Sequence, residues 1–263
     1  MKKKIYITFG GAAYDKTTEK AIKNAYRFGA DKILVYDDWW LQNTQKDFCE
    51  KNRWAFDHPH KRGFGWYIWK PYIIIDALNK ANDGDIVLYC DADTYPTGDL
   101  SPLYAICEKR GGIMIFSAVG YFQRQWCKRD CFIVMNQDDP KYYDVPAGVA
   151  RFMLFQKGSP VAKKFLDEWL MYTCDPRANT FDPSVLGPEL AGFIEHRCEQ
   201  AIMTNLAYKY GCRLFREACQ LGNRYPYDKD LYLTLFHQEG SVAGQHKNKT
   251  APVLGGSKFR NVE

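Results

Sequence analysis

The 263-residue chain contains no apolar run approaching the roughly 20 residues of a membrane-spanning helix, which excludes a spanning protein. It has no internal repeat, so a solenoid or propeller is excluded. None of its nine cysteines form C-x-x-C, and its five histidines give no H-x-x-x-H pair, which argues against a zinc knuckle or a histidine-based zinc hydrolase. Cys127 and Cys131 lie four apart, a spacing suited to one helix face. The odd cysteine count reads as reduced core thiols of a cytoplasmic protein. Strong charge is missing too. A net charge of +5 favours phosphate-bearing ligands or peripheral contact with an anionic membrane surface, and does not call for nucleic acid. The start Met1-Lys2-Lys3-Lys4 imitates a secretion signal, but Ile5–Phe9 is shorter than the ~7–15 residues of its apolar region and reads as a buried strand.

What is abundant is aromatic side chain, 16% of the chain with 18 Tyr, 16 Phe and 7 Trp. Apolar residues at 46% and charged residues at 25% are ordinary for a globular fold. The first 115 residues alternate two periodicities. Lys4–Phe9, Lys32–Tyr36, Ile86–Cys90 and Ile113–Phe116 read as buried strands. Asp15–Phe28, Leu41–Arg53, the stripe from Ile68 to Ala81, and Ser101–Lys109 read as helices. Further on, Lys128–Asn136 reads as a short helix, Val149–Phe155 as a strand, and Ser159 caps a helix through Tyr172. Cys174–Pro188 reads as a loop, Arg197–Tyr210 as a helix and Leu231–Phe236 as a strand. This order predicts an α/β fold with a mostly parallel sheet flanked by helices.

Four clusters carry chemistry. Asp91-Ala92-Asp93 follows five buried apolar residues, where ligands of open α/β sheets bind, and two carboxylates there can grip a hard divalent cation. In Gly63-Phe64-Gly65-Trp66-Tyr67-Ile68-Trp69-Lys70-Pro71, the glycines allow close backbone approach to a ligand. Trp66 and Tyr67 offer flat faces for a sugar or base, and Lys70, with Arg62 just before the segment, can reach diphosphate oxygens. His196-Arg197-Cys198-Glu199-Gln200 opens a helix with a carboxylate and an amide side by side. His237-Gln238-Glu239-Gly240 adds a third candidate metal ligand.

Together these motifs resemble those of the GT-A nucleotide-sugar glycosyltransferases, in particular small bacterial and viral enzymes carrying G-[YF]-[GW]-[YW]-x-W-K-P, D-x-D and H-R-x-[DE]-Q. The pattern is also similar to glycogenin-like retaining enzymes, whose D-Q-x-x-x-x-N helix is matched from Glu199-Gln200 to Asn205, with Glu in place of Asp.

The resemblance implies a GT-A domain over residues 1–217, with a nucleotide-binding half over 1–117 and an acceptor-side half over 118–217, and a tail over 218–263 closing the donor site. It implies a Mn²⁺- or Mg²⁺-dependent hexosyltransferase taking a nucleotide-diphosphate sugar, UDP-linked, to a glycan or glycoconjugate acceptor with retention. Glu199 and Gln200 would be catalytic. Asp91, Asp93 and His237, or His246 in its place, would hold the metal. Thr8, Phe9, Gly10, Arg62, Gly65, Trp66, Lys70, Ala92, Gly148 and Lys249 would line the nucleotide sugar. Three alternatives compete. A haloacid-type phosphohydrolase needs Thr or Val where Tyr95 stands, and a sugar nucleotidyltransferase needs a basic loop after the first strand. A non-catalytic carbohydrate-binding protein would lack turnover.

Overall fold

The computed structural model describes residues 2–11, 14–58 and 62–239. The strands are β1 (Lys4–Phe9), β2 (Lys32–Tyr36), β3 (Ile86–Cys90), β4 (Thr94–Pro96), β5 (Ile113–Phe122), β6 (Pro146–Gln156), β7 (Leu214–Arg216) and β8 (Phe236–Gln238). Six of them form one sheet in the order β2-β1-β3-β6-β5-β7, and β4 pairs with β8 in a separate ribbon. In the large sheet β1 is parallel to β2 and β3, β7 is parallel to β5, and β6 runs antiparallel between β3 and β5. The expected mostly parallel α/β sheet is what forms.

Both faces are covered, which is why the strands are near-continuous apolar runs. Side chains alternate along β3, with Val87 and Tyr89 on one face and Ile86, Leu88 and Cys90 on the other. Helix α1 (Asp15–Arg27) sends Ala21 and Ala25 to the second face. Helix α2 (Trp69–Asn79) packs Ile73, Ile74 and Ala77 on the first. Helix α3 (Ser101–Lys109) covers the second face with Leu103, Tyr104 and Cys107. Helix α4 (Pro160–Thr173) brings Phe165 and Trp169 to the first face, and α5 (Cys198–Lys209) brings Ile202 and Leu206. Ser159 caps α4 as expected, its hydroxyl accepting the Ala162 N–H at 3.2 Å. All nine cysteines are free thiols.

Three expectations change. Leu41–Arg53 is not one helix but parts of three short ones, Asp38–Thr44, Lys46–Lys51 and Arg53–Asp57. Gln45 and Asn52 leave helical geometry between them, and their amides bond locally to Thr44 and to the Phe48 carbonyl, the usual competition of such side chains with the helix ladder. Strand β5 runs on to Phe122 because β6 begins early enough, at Pro146, to pair with it. The strand expected over Leu231–Phe236 is confined to Phe236–Gln238, since the Tyr232 and Leu233 carbonyls are taken by a side chain instead of a ladder.

That side chain is Arg216, fully buried at the end of β7. Its guanidinium donates to the carbonyls of Tyr232 at 2.7 Å, Glu217 at 3.4 Å and Leu233 at 3.5 Å, and the Tyr232 hydroxyl donates back to the Arg216 carbonyl. These bonds tie the returning segment 217–235 to the sheet and so deliver β8 to β4. An Arg216→Met variant should lose about 1–3 kcal/mol in urea unfolding, the usual cost of leaving buried carbonyls unpartnered. Limited proteolysis should then cut within 217–239 first; cleavage elsewhere first would remove the latch role.

Candidate active site

The carboxyl ends of β1, β2 and β3 converge. The Gly10 N–H donates to the Tyr36 carbonyl at 2.9 Å, and a Cβ on Gly10 would lie 3.1 Å from the Ala92 Cβ and 2.9 Å from the Thr18 hydroxyl. Glycine is therefore what lets the first strand end approach the Asp91-Ala92-Asp93 turn. Thr8 is fully buried, with its hydroxyl unpartnered among the described residues, and Phe9 stacks on Trp69 at 3.9 Å.

Lys70 lies in the first turn of α2 and is only 3% exposed. Its ammonium meets three acceptors, Glu199 Oε1 at 2.8 Å, the Ala150 carbonyl at 3.0 Å and Asp91 Oδ1 at 3.2 Å. It donates hydrogen bonds to Glu199 and Ala150, and meets Asp91 as an ion pair. Burial alone would lower its pKa, but Asp91 and Glu199 outweigh burial and hold the ammonium charged, above its usual range. Expected to reach a diphosphate, Lys70 here faces Asp91, Glu199 and the Ala150 carbonyl.

Asp91 also accepts the Tyr89 hydroxyl at 2.5 Å. Asp93 accepts from Thr94 Oγ1 at 2.9 Å and Gln238 Nε2 at 3.2 Å. Burial and then Asp91 raise the Asp93 carboxyl above its usual range. Two hard oxygen ligands two residues apart fit Mg²⁺ or Mn²⁺, which bind through one or two carboxylates with water and phosphate oxygens completing the shell. His237 does not join them. Side chains alternate along β8, so Gln238 reaches Asp93, while His237 stays exposed against Tyr95 at 5.4 Å between ring centroids. No group of three His, Cys, Asp or Glu arranged for a metal occurs among the described residues. His246 and Lys249 lie outside them.

The Gly63–Tyr67 segment is a left-handed turn. Five consecutive residues have positive φ: Gly63 (55°), Phe64 (50°), Gly65 (73°), Trp66 (58°) and Tyr67 (60°). The three with side chains cost roughly 1–2 kcal/mol each. Burying Trp66, at 150–250 Å² and about 25 cal/mol/Å², contributes a comparable 4–6 kcal/mol. Trp66 is fully buried, edge-on to His58 and Phe181, and so offers no face to a ligand, correcting that expectation. Gly65 serves packing, since a Cβ there would sit 2.6 Å from Phe56. Tyr67 does reach the cleft: burial raises its hydroxyl to about 12, and Glu199 adds to this.

Glu199 opens α5, 5% exposed; burial raises its carboxyl above the usual range, Lys70 opposes this and Asp91 reinforces it. Gln200 is half-buried, its side chain without a hydrogen bond among the described residues. Asn205 turns away into the core, its amide nitrogen 3.5–4.0 Å from the sulfurs of Met135, Cys127 and Cys131. Gly148 donates its N–H to Thr204 at 2.9 Å, placing β6 against α5. Arg62 pairs with Glu195 at 2.5 Å. Sequence reasoning missed Arg151, which pairs with Glu217 and whose charge is felt by Asp93. Its signal was a lone cation inside the apolar strand Val149–Phe155.

His196 is buried and structural. Its Nδ1 accepts the Lys128 N–H at 3.1 Å, so Nε2 carries the proton bonded to the Ala178 carbonyl at 2.8 Å. Burial, then Lys128, push its pKa down to about 3.

No family model matches the sequence, and no curated protein matches it. Among solved structures, the chain is similar to apo mouse xyloside xylosyltransferase 1, at 12% identity over 96% of this chain and 100% of that one, with a TM-score of 0.51. It also matches the WbbM bifunctional glycosyltransferase at 11% identity over 83% and 39% of the two chains, TM-score 0.49. Glycosyltransferase GlyE of Streptococcus pneumoniae TIGR4 matches at 15% identity over 97% and 58%, TM-score 0.48. At these identities the likeness is one of fold alone.

Two predictions follow from the buried charges. Lys70→Met should cost about 3–5 kcal/mol in urea unfolding by stranding Glu199 and Asp91, and Lys70→Met/Glu199→Gln should recover part of it. Strictly additive losses would refute the coupling. The folded His196 titrates near 3 and an unfolded histidine near 6.5, so the unfolded state binds more protons between them. Stability should therefore fall as pH drops from about 6.5 towards 3, and His196→Gln should flatten that limb; an unchanged slope would exclude His196 as its source.

Proposed function

We propose that the chain is a metal-dependent glycosyltransferase moving a hexose from a nucleotide-diphosphate sugar, UDP-linked, to a hydroxyl of a glycan or glycoconjugate with retention. One observation carries this reading. A single buried ammonium joins Asp91, at the end of β3, to Glu199, at the start of α5, so that the acidic turn and the polar helix start stand together. The divalent cation, Mn²⁺ or Mg²⁺, would be held by Asp91 and Asp93 and supplies neutralisation of the departing diphosphate.

The protein's own groups do the rest. Gly10, close against Ala92, would flank the base and ribose. Glu199, fixed by Lys70, orients donor hydroxyls, and the free amide of Gln200 stands where its carbonyl can face the anomeric carbon. Under retention the acceptor hydroxyl attacks from the face the diphosphate leaves. The bond from the anomeric carbon to the phosphate oxygen breaks, the new glycosidic bond forms, and the acceptor proton passes to the leaving oxygen. Lys70 keeps Glu199 and Asp91 in register throughout.

Absence of an N-terminal basic cluster at the first strand's end disfavours a nucleotidyltransferase, as Thr8-Phe9-Gly10-Gly11 carries no cation. Among the described residues no helix is long and apolar enough to cross a membrane, and a cytoplasmic location is part of the proposal. Asp93→Asn should abolish Mn²⁺-dependent release of UDP from UDP-sugars while shifting the melting temperature little. EDTA should do the same to the unaltered protein, and release that persists in EDTA would overturn the metal role.

A further inference from the structure

Just before α5, two guanidinium groups share one carboxylate. Arg62 Nη1 lies 2.5 Å from Glu195 Oε1, while Arg197 Nη2 lies 3.8 Å from Oε2, too long for a hydrogen bond. Each guanidinium is backed by an aromatic ring, Arg62 by Phe181 at 4.9 Å and Arg197 by Trp126 at 4.4 Å. Tyr121 stands edge-on to Trp126 at 5.6 Å. The backbone fixes the arrangement: the Ile194 and Glu195 N–H groups donate to the Gln125 carbonyl, and the Arg197 N–H donates to that of Trp126. All three charged side chains stay partly exposed, at 23%, 25% and 38% for Arg62, Arg197 and Glu195. Arg197 stands two residues before Glu199, and the charge of Arg62 reaches Glu199.

A structural ion pair needs one cation. Here a second guanidinium, which makes no hydrogen bond through its side chain among the described residues, faces the same carboxylate with its fork of donors to spare. Aromatic backing holds such a fork in one plane and leaves its edge for a carboxylate or phosphate, which it binds through two parallel bonds. Asp91, Asp93 and Glu199 are acidic and call for a cation before they can take an anion, whereas Arg62 and Arg197 can take one directly.

We propose that Arg62 and Arg197 form the receptor for an anionic group, carboxylate or phosphate, on the acceptor sugar, with Glu195 as the internal competitor for both cations. The anion anchored there turns a neutral hydroxyl of the same ring towards Glu199 and Gln200. Assigning the anion to the acceptor rests on the glycosyl-transfer reading; the anion site itself does not.

The test is equilibrium binding by calorimetry, without nucleotide or metal, of methyl glucuronide, methyl glucoside 6-phosphate and neutral methyl glucoside. The charged sugars should bind about 10-fold more tightly than the neutral one, and whichever of the two binds better tells carboxylate from phosphate. Arg197→Gln should remove most of that preference, and Arg197→Lys, which keeps the charge without the fork, should retain part of it. Glu195→Gln should tighten the charged sugars several-fold, a gain that a merely structural ion pair would not give. Equal binding of neutral and charged sugars, or a preference unchanged in Arg197→Gln, would overturn the site. Release of UDP from UDP-glucose and UDP-glucuronate is measured in parallel. An acid preference there that Arg197→Gln removes would move the anion to the donor and overturn the acceptor assignment. No release from either would sink the transferase reading while leaving the binding result readable.

Discussion

The Lys70 ammonium is the interaction on which the cleft depends. It is buried and meets three different elements: Asp91 after β3, Ala150 in β6 and Glu199 at the start of α5. A buried cation without partners is costly, and so is the buried Glu199 carboxylate without a cation. Each therefore requires the other, which fixes α2, the β3 end, β6 and α5 relative to one another more tightly than apolar packing would. The same geometry leaves the Gln200 side chain without a hydrogen bond among the described residues.

Around that centre the aromatic excess has a structural reason. The left-handed turn at Gly63–Tyr67 holds α2, and hence Lys70, at its entry angle. It persists because Trp66 is enclosed by His58 and Phe181 while Phe9 and Trp69 stack beneath Phe64. Strain in the backbone is offset by burial of rings. Phe181 also backs the Arg62 guanidinium, and Trp126 backs that of Arg197.

Legibility in the sequence followed range. Helices α1 to α5 and the central strands could be read because periodicity and caps are local, as with Ser159 before α4 and Gly211 after α5. The helix expected over Leu41–Arg53 failed where Gln45 and Asn52 bond their own backbone, and the strand expected over Leu231–Phe236 failed where Arg216 claims its carbonyls from a distant strand. Trp66 reads as a ligand platform from composition, and only its neighbours from residues 58 and 181 show that it is enclosed.

By itself, the sequence determined the α/β class, the place of Asp91 and Asp93 beyond a buried strand, and the helix that begins with Glu199, because each follows from spacing within a dozen residues. Only the tertiary structure decided what these groups face. It spends Lys70 on Asp91 and Glu199, sends Gln238 in place of His237 to Asp93, and sets Arg62 and Arg197 on one carboxylate. Such pairings join residues up to 145 positions apart, as Gln238 and Asp93 do, and local periodicity carries no information about them.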